Sequence, residues 1–164
     1  MDYQTTVSNK EATTKKEKKK EKKVFNQKPT GAFIGASWAA LGVGTISYCI
    51  GLWNATMQLN EKGYYFTILL FGLFSVISVQ KAVRDKLEGI AVTEMYYGIS
   101  WATTLISILL LIIGLWNADL ELNEKGFYGI SFMLSIYAAI AVQKNVRDIA
   151  YINRGGNENE KDLF

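Results

Sequence analysis

Histidine is absent from the 164-residue chain, cysteine and proline occur once each, and four long stretches carry no charged side chain. Without histidine there is no imidazole for haem ligation, for a histidine-containing zinc site or for proton transfer near neutral pH. The one cysteine, Cys49, rules out an internal disulfide and, inside an apolar run, reads as a small packing residue. The one proline, Pro29, stands ahead of the first apolar run, so no run is interrupted by a helix breaker. No nucleophile with a base and no cluster of metal ligands stands out. The expectation is therefore a protein that is not an enzyme and has no cofactor, no metal and no catalytic residue.

The charge-free stretches are residues 29–60, 63–80, 95–118 and 126–143. Each is long enough for the roughly 17 to 25 helical residues that cross a hydrocarbon core of ~30 Å at 1.5 Å per residue. In lipid the backbone polar groups of an isolated run must be paired within the run, so the structure expected of each is a helix. The fold class expected is an all-α membrane protein, with four transmembrane helices arranged as two tandem parallel helical hairpins. The lipid bilayer is its first partner.

A net charge of +3 would fit a nucleic-acid partner only if the basic residues lay on a folded surface. Half of the 18 Lys and Arg lie instead in the first 28 residues, interleaved with Glu11, Glu17 and Glu21, so no nucleic-acid partner is expected. Residues 1–30 read as a Lys-rich, disordered cytoplasmic tail, too poor in apolar residues to offset the entropy of ordering. Its lysines set topology, and they also suit anionic lipid headgroups, at about 1 kcal/mol per basic residue near the surface. Outside the spans, Lys and Arg concentrate in this tail, in the connector (Lys81, Arg84, Lys86) and after the last span (Lys144, Arg147, Arg154, Lys161). The two hairpin turns have one each, Lys62 and Lys125. The positive-inside rule therefore places both termini and the connector in the cytoplasm and both turns outside.

The chain also repeats itself. At an offset of 63, residues 35–85 match residues 98–148 at 23 of 51 positions without a gap, which marks a tandem duplication. The organisation expected is a tail over 1–30, a two-helix repeat over 31–88, a second over 94–151, and a polar C-terminal tail over 152–164. Because each unit crosses twice, the copies point the same way, related by an axis along the membrane normal. From Ala40 to Cys49 no residue equals its counterpart in Thr103 to Ile112, so the middle of the first span is expected to need little beyond being apolar.

Identity collects at the two membrane faces. The outer motif joins Trp53 and Asn54 to Asn60, Glu61 and Lys62, and repeats as Trp116, Asn117, Asn123, Glu124 and Lys125. Indole rings favour the headgroup region. Asn54 and Asn117 suit a helix end, Asn60 and Asn123 suit the cap of the next helix, and Gly63 and Gly126 suit close helix approach. The alternative is a small outward-facing polar site. The inner motif is Gln80, Lys81, Arg84 and Asp85, repeated as Gln143, Lys144, Arg147 and Asp148. Lys81 with Asp85, and Lys144 with Asp148, have the i,i+4 spacing of helical ion pairs, worth only ~0.3–0.5 kcal/mol when exposed. Anchoring explains the basic residues, while docking of a cytoplasmic partner or lipid headgroup explains the matched Gln and Asp. Gly31 with Gly35, and Gly72 with its counterpart Ser135, are small residues suited to helix contacts within or between chains, and Gly42 and Gly44 suit a looser first span.

The spans joined by Gly-Leu-Trp-Asn-Ala and Leu-Asn-Glu-Lys-Gly and closed by Gln-Lys-x-Val-Arg-Asp resemble the YiaA/YiaB family of bacterial inner-membrane proteins. The resemblance covers about residues 31–88 and 94–151. It implies a two-helix unit and a multi-pass location in a bacterial plasma (inner) membrane, and it brings no catalytic residues. A structural or adaptor role, with envelope maintenance as one setting and a homo-oligomer or another membrane protein as partner, is the reading expected. The alternative is a small oligomeric channel or transporter, against which stands the lack of a charged residue or proline within a span.

Overall fold

The computed structural model describes residues 29–161, with side chains as far as Asn153. The Lys-rich tail up to residue 28 and the side chains of the C-terminal segment from residue 154 lie outside the described residues. Among the described residues four helices follow one another: α1 (Gly31–Asn54), α2 (Leu59–Leu87), α3 (Glu94–Asn117) and α4 (Leu122–Lys161). All four are long and apolar enough to cross a membrane. Helix α4 carries on past residue 151, where the sequence reading ended the second repeat. Residues 32–144 form one compact unit; of the remaining described residues, those before 32 and those from 145 on fall outside it.

Within residues 32–144 the second helix of each hairpin is central and the first peripheral. The apolar windows of α2 and α4 are 39% and 44% buried, and those of α1 and α3 are 17% buried each. All four helices feed one core, with Tyr48 and Leu52 from α1, Tyr65, Ile68 and Leu69 from α2, Leu111 from α3, and Tyr128 and Phe132 from α4. The Tyr65 and Tyr128 rings, equivalent in the two repeats, stack with centroids 6.0 Å apart.

The tight contacts run between the hairpins. Helix α1 lies on α4: a Cβ at Gly44 would sit 2.7 Å from Ser135 Oγ, and one at Gly51 would sit 2.6 Å from Phe127 Cε1. Helix α3 lies on α2, and a Cβ at Gly114 would sit 2.7 Å from Tyr64 Cε1. Each hairpin thus rests its first helix on the second helix of the other. Small residues permit such approach between helices that gain no hydrophobic drive from lipid.

Several expectations change at this level. Among the described residues nothing lies within 4 Å of a Cβ position at Gly31, Gly35, Gly63 or Gly126, so the small pair at 31 and 35 and the glycines after the turns mark no helix contact there. Gly44 is a close-packed position rather than a loosening one, and Tyr48 beside it is fully buried. The mid-span is therefore constrained, although its residues differ between the copies. Gly72 meets Phe132 and Ile136, and Ser135 is fully buried, as helix-contact residues should be.

Candidate functional site

The outer turns are built by the same hydrogen bonds in each copy. As α1 ends, Ala55 N donates to Gly51 O at 2.9 Å and Asn54 Nδ2 donates to Ile50 O at 3.0 Å. As α3 ends, Ala118 N donates to Gly114 O at 2.9 Å and Asn117 Nδ2 to Ile113 O at 2.8 Å. Each asparagine thus folds its amide back onto the carbonyl four residues earlier, within the last helical turn. The next helices begin one residue before Asn60 and Asn123, so these do not cap. Glu61 Oε2 accepts from Gln58 N at 2.8 Å, and Glu124 Oε2 accepts from Glu121 N at 3.0 Å. A carboxylate in the first turn is also favoured by the helix dipole. Lys62 Nζ donates to Trp53 O at 3.1 Å and ties the two sides of the first turn.

Trp53 and Trp116 are more than four-fifths exposed, which places both indoles outside the helix core. Between the turns lies an open cleft of about 460 Å³, to which the first turn contributes Thr56, Asn60 and Glu61 and the second contributes Asn117 and Asp119. Trp53, Asn54, Lys62, Trp116, Asn123, Glu124 and Lys125 do not line it.

Residues that follow the turn proved to matter more than the reading of the turn itself suggested. Tyr64 Oη donates to Leu110 O at 2.8 Å, joining α2 to α3, and Tyr48 Oη donates to Tyr65 O at 3.1 Å, joining α1 to α2. The pair Tyr64–Tyr65 covers Gly114, and the equivalent pair Phe127–Tyr128 covers Gly51. The signal was available: an aromatic pair follows each Leu-Asn-Glu-Lys-Gly, and each Gly-Leu-Trp-Asn-Ala opens with the glycine that receives it.

The inner motif pairs differently from the i,i+4 expectation. Arg84 Nε and Nη2 both donate to Asp85 Oδ1, at 3.0 and 2.7 Å, and Arg147 Nε and Nη2 donate to Asp148 Oδ1, each at 3.3 Å. The longer, forked guanidinium reaches its sequence neighbour and takes the carboxylate that the spacing had assigned to lysine. Lys81 and Lys144 are exposed and form no ion pair among the described residues. Gln80 is half-buried and Gln143 exposed. The Arg84–Asp85 pair belongs to the compact unit of residues 32–144, and the Arg147–Asp148 pair falls outside it.

The yiaA/B two helix domain matches residues 33–85 and again residues 96–148, two windows separated by the same 63 residues as the internal repeat. The chain belongs to the YiaA/YiaB family. Inner membrane protein YiaA of Escherichia coli (strain K12) is 59% identical over 117 residues, 71% of this chain and 81% of that protein. Inner membrane protein YiaB of the same organism is 30% identical over 95 residues, 58% of this chain and 80% of that protein. Membrane protein YubF of Bacillus subtilis (strain 168) is 34% identical over 65 residues, 39% of this chain and 75% of that protein. No solved structure matches. Membership, the four apolar helices and these relatives make the chain an integral membrane protein of two YiaA/YiaB units. Both faces described above fall inside the matched windows.

Proposed function

We propose that this YiaA/YiaB protein is a bacterial inner-membrane scaffold whose cytoplasmic face docks another membrane protein through the repeated Gln-Lys-x-Val-Arg-Asp motif. The observation that carries the reading is that both copies close the same Arg-to-Asp pair and leave the lysine three residues before the arginine exposed. Exposed or half-exposed pairs of this kind add about 1 kcal/mol or less to stability. Folding therefore accounts poorly for keeping the whole motif twice, whereas a preset carboxylate and guanidinium beside an exposed ammonium make a surface that another protein can read.

The orientation belongs to the same proposal. Both termini and the connector lie in the cytoplasm, and the turns at 55–58 and 118–121 face outward. The Lys-rich tail adds attraction to anionic headgroups on the cytoplasmic side, and the protein does no enzymatic chemistry. In a chain with Cys49→Ser, a membrane-impermeant thiol reagent should label Thr56→Cys in intact spheroplasts and should reach Lys86→Cys only after permeabilisation. The reverse pattern overturns the orientation. Docking is tested by cross-linking in native membranes, with the wild type compared with the variant carrying Arg84→Gln and Arg147→Gln. A membrane protein recovered in stoichiometric amount with the wild type and lost with the variant is expected. Undiminished recovery with the variant, at equal membrane content, overturns the docking role of the motif.

A further inference from the structure

We infer that the chain is a dimer of two-helix units joined in one polypeptide, in which the first hairpin is shaped to take the second hairpin as its partner and not a copy of itself. The interaction surface is the seam of α1 on α4 and α3 on α2, and the partner it fits is the opposite repeat.

The repeated part of the seam makes the two hairpins interchangeable in outline. Gly51 receives Phe127 and Tyr128 from the second hairpin, and Gly114 receives Tyr64 and Tyr65 from the first. By itself this part would serve a first hairpin meeting another first hairpin equally well.

The diverged part of the seam removes that freedom. Gly44 lies against Ser135, where a Cβ would be 2.7 Å from Ser135 Oγ, 2.9 Å from its backbone nitrogen and 3.1 Å from Ser131 O. The residue equivalent to Gly44 in the second hairpin is Ser107, so two second hairpins in this geometry would press one serine on another. Gly72 lies against Phe132, with a Cβ position 2.7 Å from Phe132 Cζ. The residue equivalent to Gly72 is Ser135, so two second hairpins would also push a side chain into that ring. Two first hairpins fail in the opposite sense. They would set Gly44 opposite Gly72 and replace the fully buried Phe132 with its smaller equivalent, Leu69. They would also lose the Thr45 Oγ1 to Ser135 Oγ hydrogen bond of 3.5 Å. Glycine faces the larger residue only when one hairpin of each kind is present. Specificity here comes from crowding in one wrong pair and voids in the other.

The test uses the full chain with a protease site inserted between Ala91 and Val92 in the connector. Two versions with different C-terminal tags and a common N-terminal epitope are extracted in mild detergent, cut, mixed, held until exchange is complete and captured through one tag. The N-terminal fragment should be recovered in equal amount with the captured C-terminal fragment. The other version's C-terminal fragment should be recovered at least about tenfold less, since tenfold is roughly the effect of a single misfitted small residue and two second hairpins carry several. Separation of the wild-type fragments on cutting overturns the inference, as does recovery of the second C-terminal fragment as readily as the N-terminal one. Gly44→Ser should loosen the N-terminal fragment about tenfold in the same assay, while Gly35→Ser, with nothing within 4 Å of its Cβ, should retain it. Retention of Gly44→Ser at the level of Gly35→Ser overturns the specificity. If Gly44→Ser fails to accumulate in membranes, the wild-type exchange decides the matter alone.

Discussion

A glycine inside a helix costs about 1 kcal/mol relative to alanine, so a glycine kept there needs a compensating contact. At Gly114 the compensation is Tyr64, whose ring edge takes the Cβ space and whose hydroxyl is tied to Leu110 O. At Gly51 the ring is Phe127, which has no hydroxyl to hold it. Alanine at 114 must therefore displace an anchored ring, while alanine at 51 displaces a free one. Gly114→Ala should destabilise more than Gly51→Ala by about 1 kcal/mol, the usual value of one hydrogen bond. Thermal unfolding in detergent reads the difference, and Tyr64→Phe should abolish it. The turn carboxylates give a second contrast at this scale. Glu61→Ala and Glu124→Ala each remove a bond to a helix-start N–H and should cost ~0.5–1.5 kcal/mol. Asn60→Ala and Asn123→Ala, whose side chains do not cap, should stay within about 0.5 kcal/mol of the parent. A larger loss at the asparagines than at the glutamates would show that the cap lies elsewhere.

Between elements, the join of α2 to α3 is set by backbone hydrogen bonds. Gly89 has φ of 75°, Ile90 N donates to Asp85 O at 2.9 Å, and Gly89 N donates to Lys86 O at 3.3 Å. This pair of bonds is the Schellman ending, with glycine at the left-handed position. Thr93 Oγ1 then accepts from Tyr96 N at 3.3 Å to start α3, and Lys86 Nζ reaches Glu94 Oε1 at 3.0 Å across the connector. Gly89→Ala should cost about 1–2 kcal/mol because a Cβ is strained in that conformation, whereas Gly63→Ala, in an open helical position, should be neutral or stabilising. Backbone hydrogen exchange at 88–93 should rise in the first variant alone. The elements themselves were legible in the sequence, because charge is expelled from each span and returns at each end. The capping residues were misplaced by the reading because Asn60 and Glu61 are both plausible near a helix start, and only the position of the first turn decides between them. The seam was hidden for a different reason. Divergence between Ala40–Cys49 and Thr103–Ile112 looks like freedom when the copies are aligned, yet Gly44 answers Ser135 on another helix, a partner that no alignment of the two copies places beside it.

For the whole molecule, complementary halves mean that the order of the repeats matters less than having one of each. Four crossings return the chain to the side where it began, so a chain with residues 94–153 placed ahead of residues 30–87 retains both termini on one face and the same two hairpins. It preserves the contacts of Gly44 with Ser135 and of Gly72 with Phe132. Such a chain should fold with stability within a few kcal/mol of the parent, the difference arising at the connectors. A chain with two first hairpins leaves voids where Ser135 and Phe132 belong. Its loss should be on the scale of large-to-small core changes, ~1–3 kcal/mol at each void. A chain with two second hairpins sets Ser107 against Ser135 and Ser135 against Phe132, on both sides of the molecule. Overpacking of that kind costs about 1–3 kcal/mol per site and is relieved by moving helices apart. The expected order of resistance to denaturing detergent is parent and swapped order first, with both chains of like hairpins below them. If the chain with two second hairpins matched the parent, the seam would tolerate crowding at 44 and 72, and the pairing of unlike hairpins would have no steric basis.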